Sequence, residues 1–360
     1  MKKTALNLFA ALLLVIYVSA CAPERDQMVF PGEEWERWES AEAAGYDPAT
    51  LQEVTAFIDE NMNTSGMMVT VNGRVLYEYG DMEVLSYLAS VRKSILAMLY
   101  GIYVEDGTID LDLTLEDMDV DDHEGLLPIE RQATVRNLIE ARSGVFHPAS
   151  NAGDDLSSAP ERGSKEPGSY YLYSNWDFNA AGGVFEMLTD KDIYDALEED
   201  LVIPLQMQDF VRDMHRKSGN LERSRFPAYH MHLSTRDKAR IGHLMLNMGE
   251  WDGEQIISEE WVKKSTSLIT PLEEMNPDRR RDGYLGYGYM WWIYDGERVE
   301  DEDSPWRGAY TGRGALGQWI TVVPKLNMVI SHKTTRDEDG TTNWPEYDEM
   351  LHMLFDARLN

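Results

Sequence analysis

The sequence predicts an α/β protein of the α+β type, in which one antiparallel sheet is flanked by terminal helices and an all-helical subdomain is inserted in mid-chain. Three observations carry that expectation. Strand signals gather near both ends of the chain, while residues from about 105 to 250 are helical or loop-like with few strand signals. Amphipathic stretches bound the strands on either side, at 47–60 and at 347–358. With 360 residues, the chain has the length for one large domain or two modest ones with ample core.

The elements follow in order. Residues 1–20 have a basic start at Lys2 and Lys3, an apolar run from Leu6 to Val18 and small residues before Cys21, which is the grammar of a secretory signal. The run is too short and badly flanked for a stable membrane span. Val18-Ser19-Ala20-Cys21 resembles the bacterial lipobox, so Cys21 is expected to be lipidated after cleavage, and it is the sole cysteine, which excludes disulfides. An exported protein, lipid-anchored in a bacterial cell envelope on its periplasmic or outer surface, is the resulting expectation. Residues 21–45 are charged and marked by Pro and Gly, and read as a linker to a domain at 46–360.

Within that domain Asp47 caps a helix with Pro48 in its first turn, and Leu51, Val54, Phe57 and Ile58 recur at helical spacing. Asn72-Gly73 joins strands at 66–71 and 75–79, the strongest local hairpin signal. Helices are expected at 134–141, 178–188, 193–201 and 235–248, then strands at 287–294, 318–323 and 328–332.

The formal net charge is −31, from 64 acidic and 33 basic residues. Loss of residues 1–20 removes two lysines and no acid, so the mature chain is near −33. Such a chain is expected to avoid nucleic acid and anionic membrane surfaces. The acids are spread along the chain, as on a solvated surface suited to high salt.

One helix begins oddly. In ASVRKSILAMLYGIYV (89–104), eleven residues after Lys93 carry no charge, yet the helix opens with Ser90, Arg92 and Lys93. A helix apolar all round is normally buried, so a cation in its first turn must be held by something or used by something. Ser90 and Lys93 are three apart and share a face. A serine hydroxyl becomes a nucleophile when a base lies within hydrogen-bond reach, and desolvation of an amine lowers its pKa toward that task. The serine N–H at the helix start is also free to meet an oxyanion. Ser-x-x-Lys alone is a weak signal. Tyr173-Ser174-Asn175 adds a phenol and an amide two residues apart, pointing to one side of an extended segment. The Gly-rich stretch 310–324, with Gly312, Gly314 and Gly317 before a good strand, suits close approach of backbone to a ligand.

Ser90-x-x-Lys93, Tyr173-x-Asn175 and the C-terminal Gly-rich strand, in that order, resemble the three motifs of the serine β-lactamase and penicillin-binding superfamily. The likeness is greatest to its class C and esterase-like branch, which includes 6-aminohexanoate-dimer hydrolases, and covers about residues 46–355. It implies a β-lactamase/transpeptidase-like fold and a serine hydrolase acting through an acyl-enzyme on a small amide or ester, without cofactor or metal. Ser90 would be acylated, Lys93 and Tyr173 would move the protons, and Asn175, Gly312, Arg313 and Gly314 would bind substrate. Where β-lactam-hydrolysing members carry Lys-Thr-Gly, this chain has Tyr310-Thr311-Gly312, with Arg313 as the substitute cation. D,D-peptidase or β-lactamase chemistry, and a non-catalytic binder on the same scaffold, are the alternatives. Gly-x-Ser-x-Gly does not occur, and His230 and His232 lack the companions of a metal motif.

Overall fold

The computed structural model describes residues 27–335 and 340–359. The expected signal and Cys21 lie outside these. Helix α1 (Pro48–Asn61) is capped by the Asp47 carboxylate, which accepts from the N–H groups of Ala49 and Thr50. The Asn72-Gly73 turn joins β1 (Gly66–Val71) to β2 (Arg74–Gly80). Helix α2 (Val91–Glu105) follows; α3 (Asn175–Thr189) lies in the middle region and α4 (Thr235–Leu246) after it. Strands β3 (Leu285–Tyr287), β4 (Trp292–Tyr294), β5 (Tyr310–Gly314), β6 (Gln318–Val323) and β7 (Met328–Lys333) and helix α5 (Trp344–Asp356) complete the fold.

The seven strands form one antiparallel sheet in the order β2-β1-β7-β6-β5-β4-β3. Its centre is buried on both faces, which is why β6 and β7 are apolar without alternation. On β6, Trp319 stacks on Tyr347 of α5 at 4.0 Å and the Thr321 hydroxyl bonds the Tyr347 hydroxyl, so this face meets the terminal helices. Ile320, on the opposite face, packs with Val329 against Gly242 of α4.

Four expectations are corrected. The stretch read as one strand at 287–294 is a hairpin, because Met290 takes a left-handed φ of 57° and the Gly288 N–H donates to the Trp291 carbonyl. The helix at 235–248 belongs to the sheet, not to the inserted region: its Lys238 donates to the His332 carbonyl of β7. The inserted region also carries a ribbon, Arg216–Ser218 paired with Ala228–His230. The stretch read as a linker is packed from residue 27 on. Val29 donates to Asn72, Trp38 to Val75, and the Arg240 guanidinium of α4 collects the carbonyls of Pro31, Gly32 and Glu33. Phe30 and Trp38 pack against the core there, and β2 is an edge strand that gains cover.

Helix α2 is seated against a helix at Glu259–Ser265, whose Trp261 indole donates to the Ala97 carbonyl. A methyl at Gly101 would lie 2.2 Å from Trp261 Cδ1. Gly to Ala in a helix interior gains about 1 kcal/mol of propensity, whereas overpacking a core costs about 1–3 kcal/mol. Gly101→Ala is expected to lower the urea unfolding midpoint; an unchanged or higher midpoint would mean that the indole moves aside freely.

Candidate active site

Ser90 sits at the junction between a strained turn and α2. The Val91 N–H donates to the Leu88 carbonyl, and Ala89 between them is held at φ 48°, an uncommon conformation for a residue with a side chain. Ser90 occupies the N-cap position, yet its side chain makes no capping hydrogen bond, so the hydroxyl is left for other work. Among the described residues nothing accepts the Ser90 N–H.

Lys93, one turn on, is 1 % exposed. Its Nζ lies 2.6 Å from the Tyr173 hydroxyl and 2.7 Å from Asn175 Oδ1, over the rings of Tyr173 and Phe178 at 4.2 Å each. Burial pushes its pKa well below the usual lysine value, with the Arg92 charge acting in the same direction and Asp154 against it. Tyr173 is raised by burial, while the nearby Ser90 hydroxyl and arginines work to lower it. Amine and phenol thus form a bonded pair, with Ser90 lining the same hollow as the phenol, and the amine is the group whose charge burial opposes.

The segment bearing Tyr173 is extended and pinned on both sides. Leu172 donates to the Ala141 carbonyl, and Asp155 donates to the Tyr173 carbonyl. Helix α3 then starts at Asn175, whose N–H is accepted by the Asp154 carboxylate. The Asn175 amide is spent on both sides, with Oδ1 on Lys93 and Nδ2 donating to the Ala152 carbonyl. It holds the lysine in place. The Tyr173 ring stacks on Trp292 of β4 at 5.5 Å.

The third element is β5, and here the structure separates residues that the sequence placed together. Tyr310 is buried against Trp291, and Thr311 bonds Thr321 on the far face, so neither faces Ser90. Gly312 packs against Ser94 inside α2 instead of lining the cleft. Gly314 and Arg313 do line it, in a hollow of about 340 Å³ that also holds Ser90, Tyr173, Arg280 and Trp344. A Cβ on Gly314 would lie 2.5 Å from the Leu88 carbonyl and 3.2 Å from Ala89 Cβ, so only glycine admits the strand this close to the turn before Ser90. Arg313 lies over Trp344 at 4.6 Å, and burial next to Arg280 pushes its pKa down to about 10. Arg280 is tied to Asp155 at 2.6 Å. Sequence reasoning missed Gly153, Arg280, Trp292 and Trp344 on this wall; the tryptophans and Arg280 arrive from distant segments, and only their abundance near the C-terminus hinted at them. A larger hollow of about 770 Å³ near Phe355 and Arg358 brings together no nucleophile and base.

An antiparallel sheet with terminal helices on one face and a helical region beside it, meeting at a Ser-x-x-Lys turn, defines a class of fold before any comparison is made. The Beta-lactamase family profile matches residues 54–349, and the chain belongs to that family. Among solved structures, a putative 6-aminohexanoate-dimer hydrolase from Bacillus anthracis is 20% identical, with a TM-score of 0.62 over 84% of this chain and 80% of that one. A class C β-lactamase mutant is 16% identical, with a TM-score of 0.61 over 89% and 99%. EstCE1, a hydrolase with promiscuous acyltransferase activity, is 15% identical, with a TM-score of 0.60 over 87% and 98%. These similarities establish the fold. An uncharacterized protein of Alkalihalophilus pseudofirmus is 28% identical over 103 residues, and the chain spans 28% of that relative's length.

The buried amines fix the sign of one pH effect. Lys93 and Lys238 are both held well below the usual lysine pKa by burial. Over about pH 8 to 9 the unfolded chain, with lysines near 10.4, therefore binds more protons than the folded one, and stability rises with pH; above it the buried tyrosines, held above their ordinary value near 10, turn the slope the other way. Asp177, raised to about 8 by burial, contributes an opposite slope that is smaller than that of the two lysines within this range and fades by about pH 9. Urea midpoints are expected to climb across this window and to climb less in Lys93→Met; a flat wild-type profile would show both amines charged in the fold.

Proposed function

We propose that this protein is a serine hydrolase that acts through an acyl-enzyme on a small amide or ester, with Ser90 as nucleophile. The observation that carries the reading is the Lys93 amine, buried and bonded to both Tyr173 and Asn175 beside a serine hydroxyl that caps nothing. A base with a lowered pKa is what a serine needs to attack at neutral pH.

In the first step Ser90 Oγ bonds to the substrate carbonyl carbon and its proton passes to Lys93, directly or through the Tyr173 oxygen. The oxyanion is met by the Ser90 N–H and by an amide of the turn after Gly314. Collapse of the tetrahedral intermediate breaks the bond to the leaving group. That group takes a proton from Tyr173, which is reprotonated from Lys93. Water then attacks the acyl-serine by the reverse sequence, and the acid departs as Ser90 regains its proton.

The cleft favours a substrate that carries a carboxylate. Arg313 has no carboxylate partner among the described residues, lies between Trp292 and Trp344, and shares the hollow with Ser90 and Arg280. This cation is the substitute offered for the missing lysine of Lys-Thr-Gly, three residues beyond the position that Tyr310 occupies. An N-terminal lipid anchor on Cys21, placing the enzyme on a bacterial envelope surface, is part of the same proposal and rests on the sequence alone.

A fluorophosphonate probe tests the nucleophile. It is expected to label the wild type and not Ser90→Ala, and equal labelling of a folded Ser90→Ala would remove Ser90 from the role. A pair of aryl esters differing only in a terminal carboxylate tests Arg313. Arg313→Gln is expected to lower kcat/KM roughly tenfold to a hundredfold for the anionic ester, as loss of a charge-assisted hydrogen bond would, and to leave the neutral ester little changed. Preference for D-Ala-D-Ala peptides over short esters and aminohexanoate oligomers would shift the reading to peptidase chemistry.

A further inference from the structure

Lys93 has a second cation beside it that takes no part in the proton transfers. Arg92 is 2 % exposed, and among the described residues no carboxylate lies within ion-pair distance of it. Its Nη1 donates to the Ala89 carbonyl at 3.1 Å and its Nη2 to Asn179 Oδ1 at 3.3 Å, and its guanidinium lies 4.9 Å from the Tyr229 ring centre. Its Nε has no partner. A buried guanidinium without a counter-ion is costly, and a merely structural site would be expected to supply one.

We infer that Arg92 is a positioning residue for acylation, fixing the backbone turn that presents Ser90 and holding an uncompensated positive charge beside Lys93. The role rests on Lys93 acting as the base. Two sets of contacts support it. The carbonyl that Arg92 holds belongs to Ala89, the residue in the left-handed conformation immediately before Ser90. The same guanidinium reaches α3 one turn beyond Asn175 through Asn179, whose Nδ2 donates to Asn151 Oδ1, and the neighbouring Ala152 carbonyl holds the Asn175 amide. Arg92 therefore ties the nucleophile turn of α2 to the loop and helix that carry the rest of the site.

The electrostatic part has a defined sign. The charged or titratable groups around Lys93 are Arg92, Tyr173, Asp154 and Arg280, and those around Arg92 are Lys93, Tyr173, Tyr194 and Tyr229. After burial, the Arg92 charge is the largest influence lowering the Lys93 pKa. A base works when neutral, so a lower pKa extends activity toward acid pH, and removing the charge moves the acid limb of the rate upward.

The test is the rate of fluorophosphonate labelling at Ser90 from about pH 5 to 10. In Arg92→Met the acid limb is expected to move up by at least about half a pH unit, roughly a threefold loss below the midpoint, and the plateau is expected to fall about tenfold. Arg92→Lys keeps the charge and loses the fork, so its limb stays near wild type while its plateau falls. Asn179→Asp leaves Arg92 in place and supplies the missing counter-ion, so its limb moves up as in Arg92→Met. A folded Arg92→Met with an unmoved limb would overturn the inference; if that variant does not fold, an unmoved limb in Asn179→Asp does so. Labelling of Ser90→Ala at the wild-type rate would instead sink the assignment of the site, and the role of Arg92 with it.

Discussion

The desolvation of one amine is the constraint on which the site depends. Moving a lysine ammonium from water into a protein interior costs several kcal/mol, and at Lys93 that cost pushes the pKa well below the usual lysine value. Everything around it serves to keep water out. The apolar remainder of α2 is buried from Val91 through Gly101, Phe178 and Tyr173 cover the amine, and Trp292 covers Tyr173 in turn. The fold supplies these walls from three places, with α2 bringing Ser90 and Lys93, the start of α3 bringing Tyr173 and Asn175, and the sheet bringing Gly314. A gap at any of the three junctions would admit solvent and return the amine to its ordinary charge.

The backbone carries strain where these elements meet. Ala89 is left-handed, and Gly314 approaches its Cβ so closely that any side chain on the strand would collide. Such conformations persist only when the surroundings over-determine them. Here the surroundings are the Leu88–Val91 turn, the Arg92 fork on the Ala89 carbonyl, and the Leu88 N–H donated to Met231. The result is a serine held at the start of a buried helix, at the edge of the cleft, with no capping bond on its hydroxyl, an arrangement that suits the proposed acyl transfer.

Much of this was legible in the sequence, for a local reason. Ser90 with Lys93 is a helical spacing, Tyr173 with Asn175 is an extended spacing, and Asn72-Gly73 is a turn; each depends on neighbours within a few residues. The register of the third motif stayed open because residues 310–317 hold three glycines in one short run. Position along the strand decides it: Thr311 and Arg313 share the face toward α5, Gly312 and Gly314 share the face toward α2, and only the end of the strand, Arg313 with Gly314, borders the cleft. The packed stretch 27–45 was unreadable because its binding is to carbonyls. Arg240 and the edge of β2 recognise backbone atoms, which leave no pattern in side chains. Trp292, Trp344 and Arg280 converge only through tertiary structure.

The distribution of charge sets interior against exterior. A chain with a net charge of −31 surrounds its site with Arg92, Lys93, Arg280 and Arg313, of which only Arg280 has a carboxylate partner among the described residues. The acidic surface would by itself favour a charged lysine and so oppose the function of Lys93. Distance decides between the two influences. Surface carboxylates act through water and ions that screen them beyond about 8–10 Å, whereas Arg92 acts across a few ångströms of packed side chains where the effective dielectric is low. Burial first and the local cation second therefore set the state of the amine, and the acidic exterior can vary with the surroundings of the protein with little effect on it.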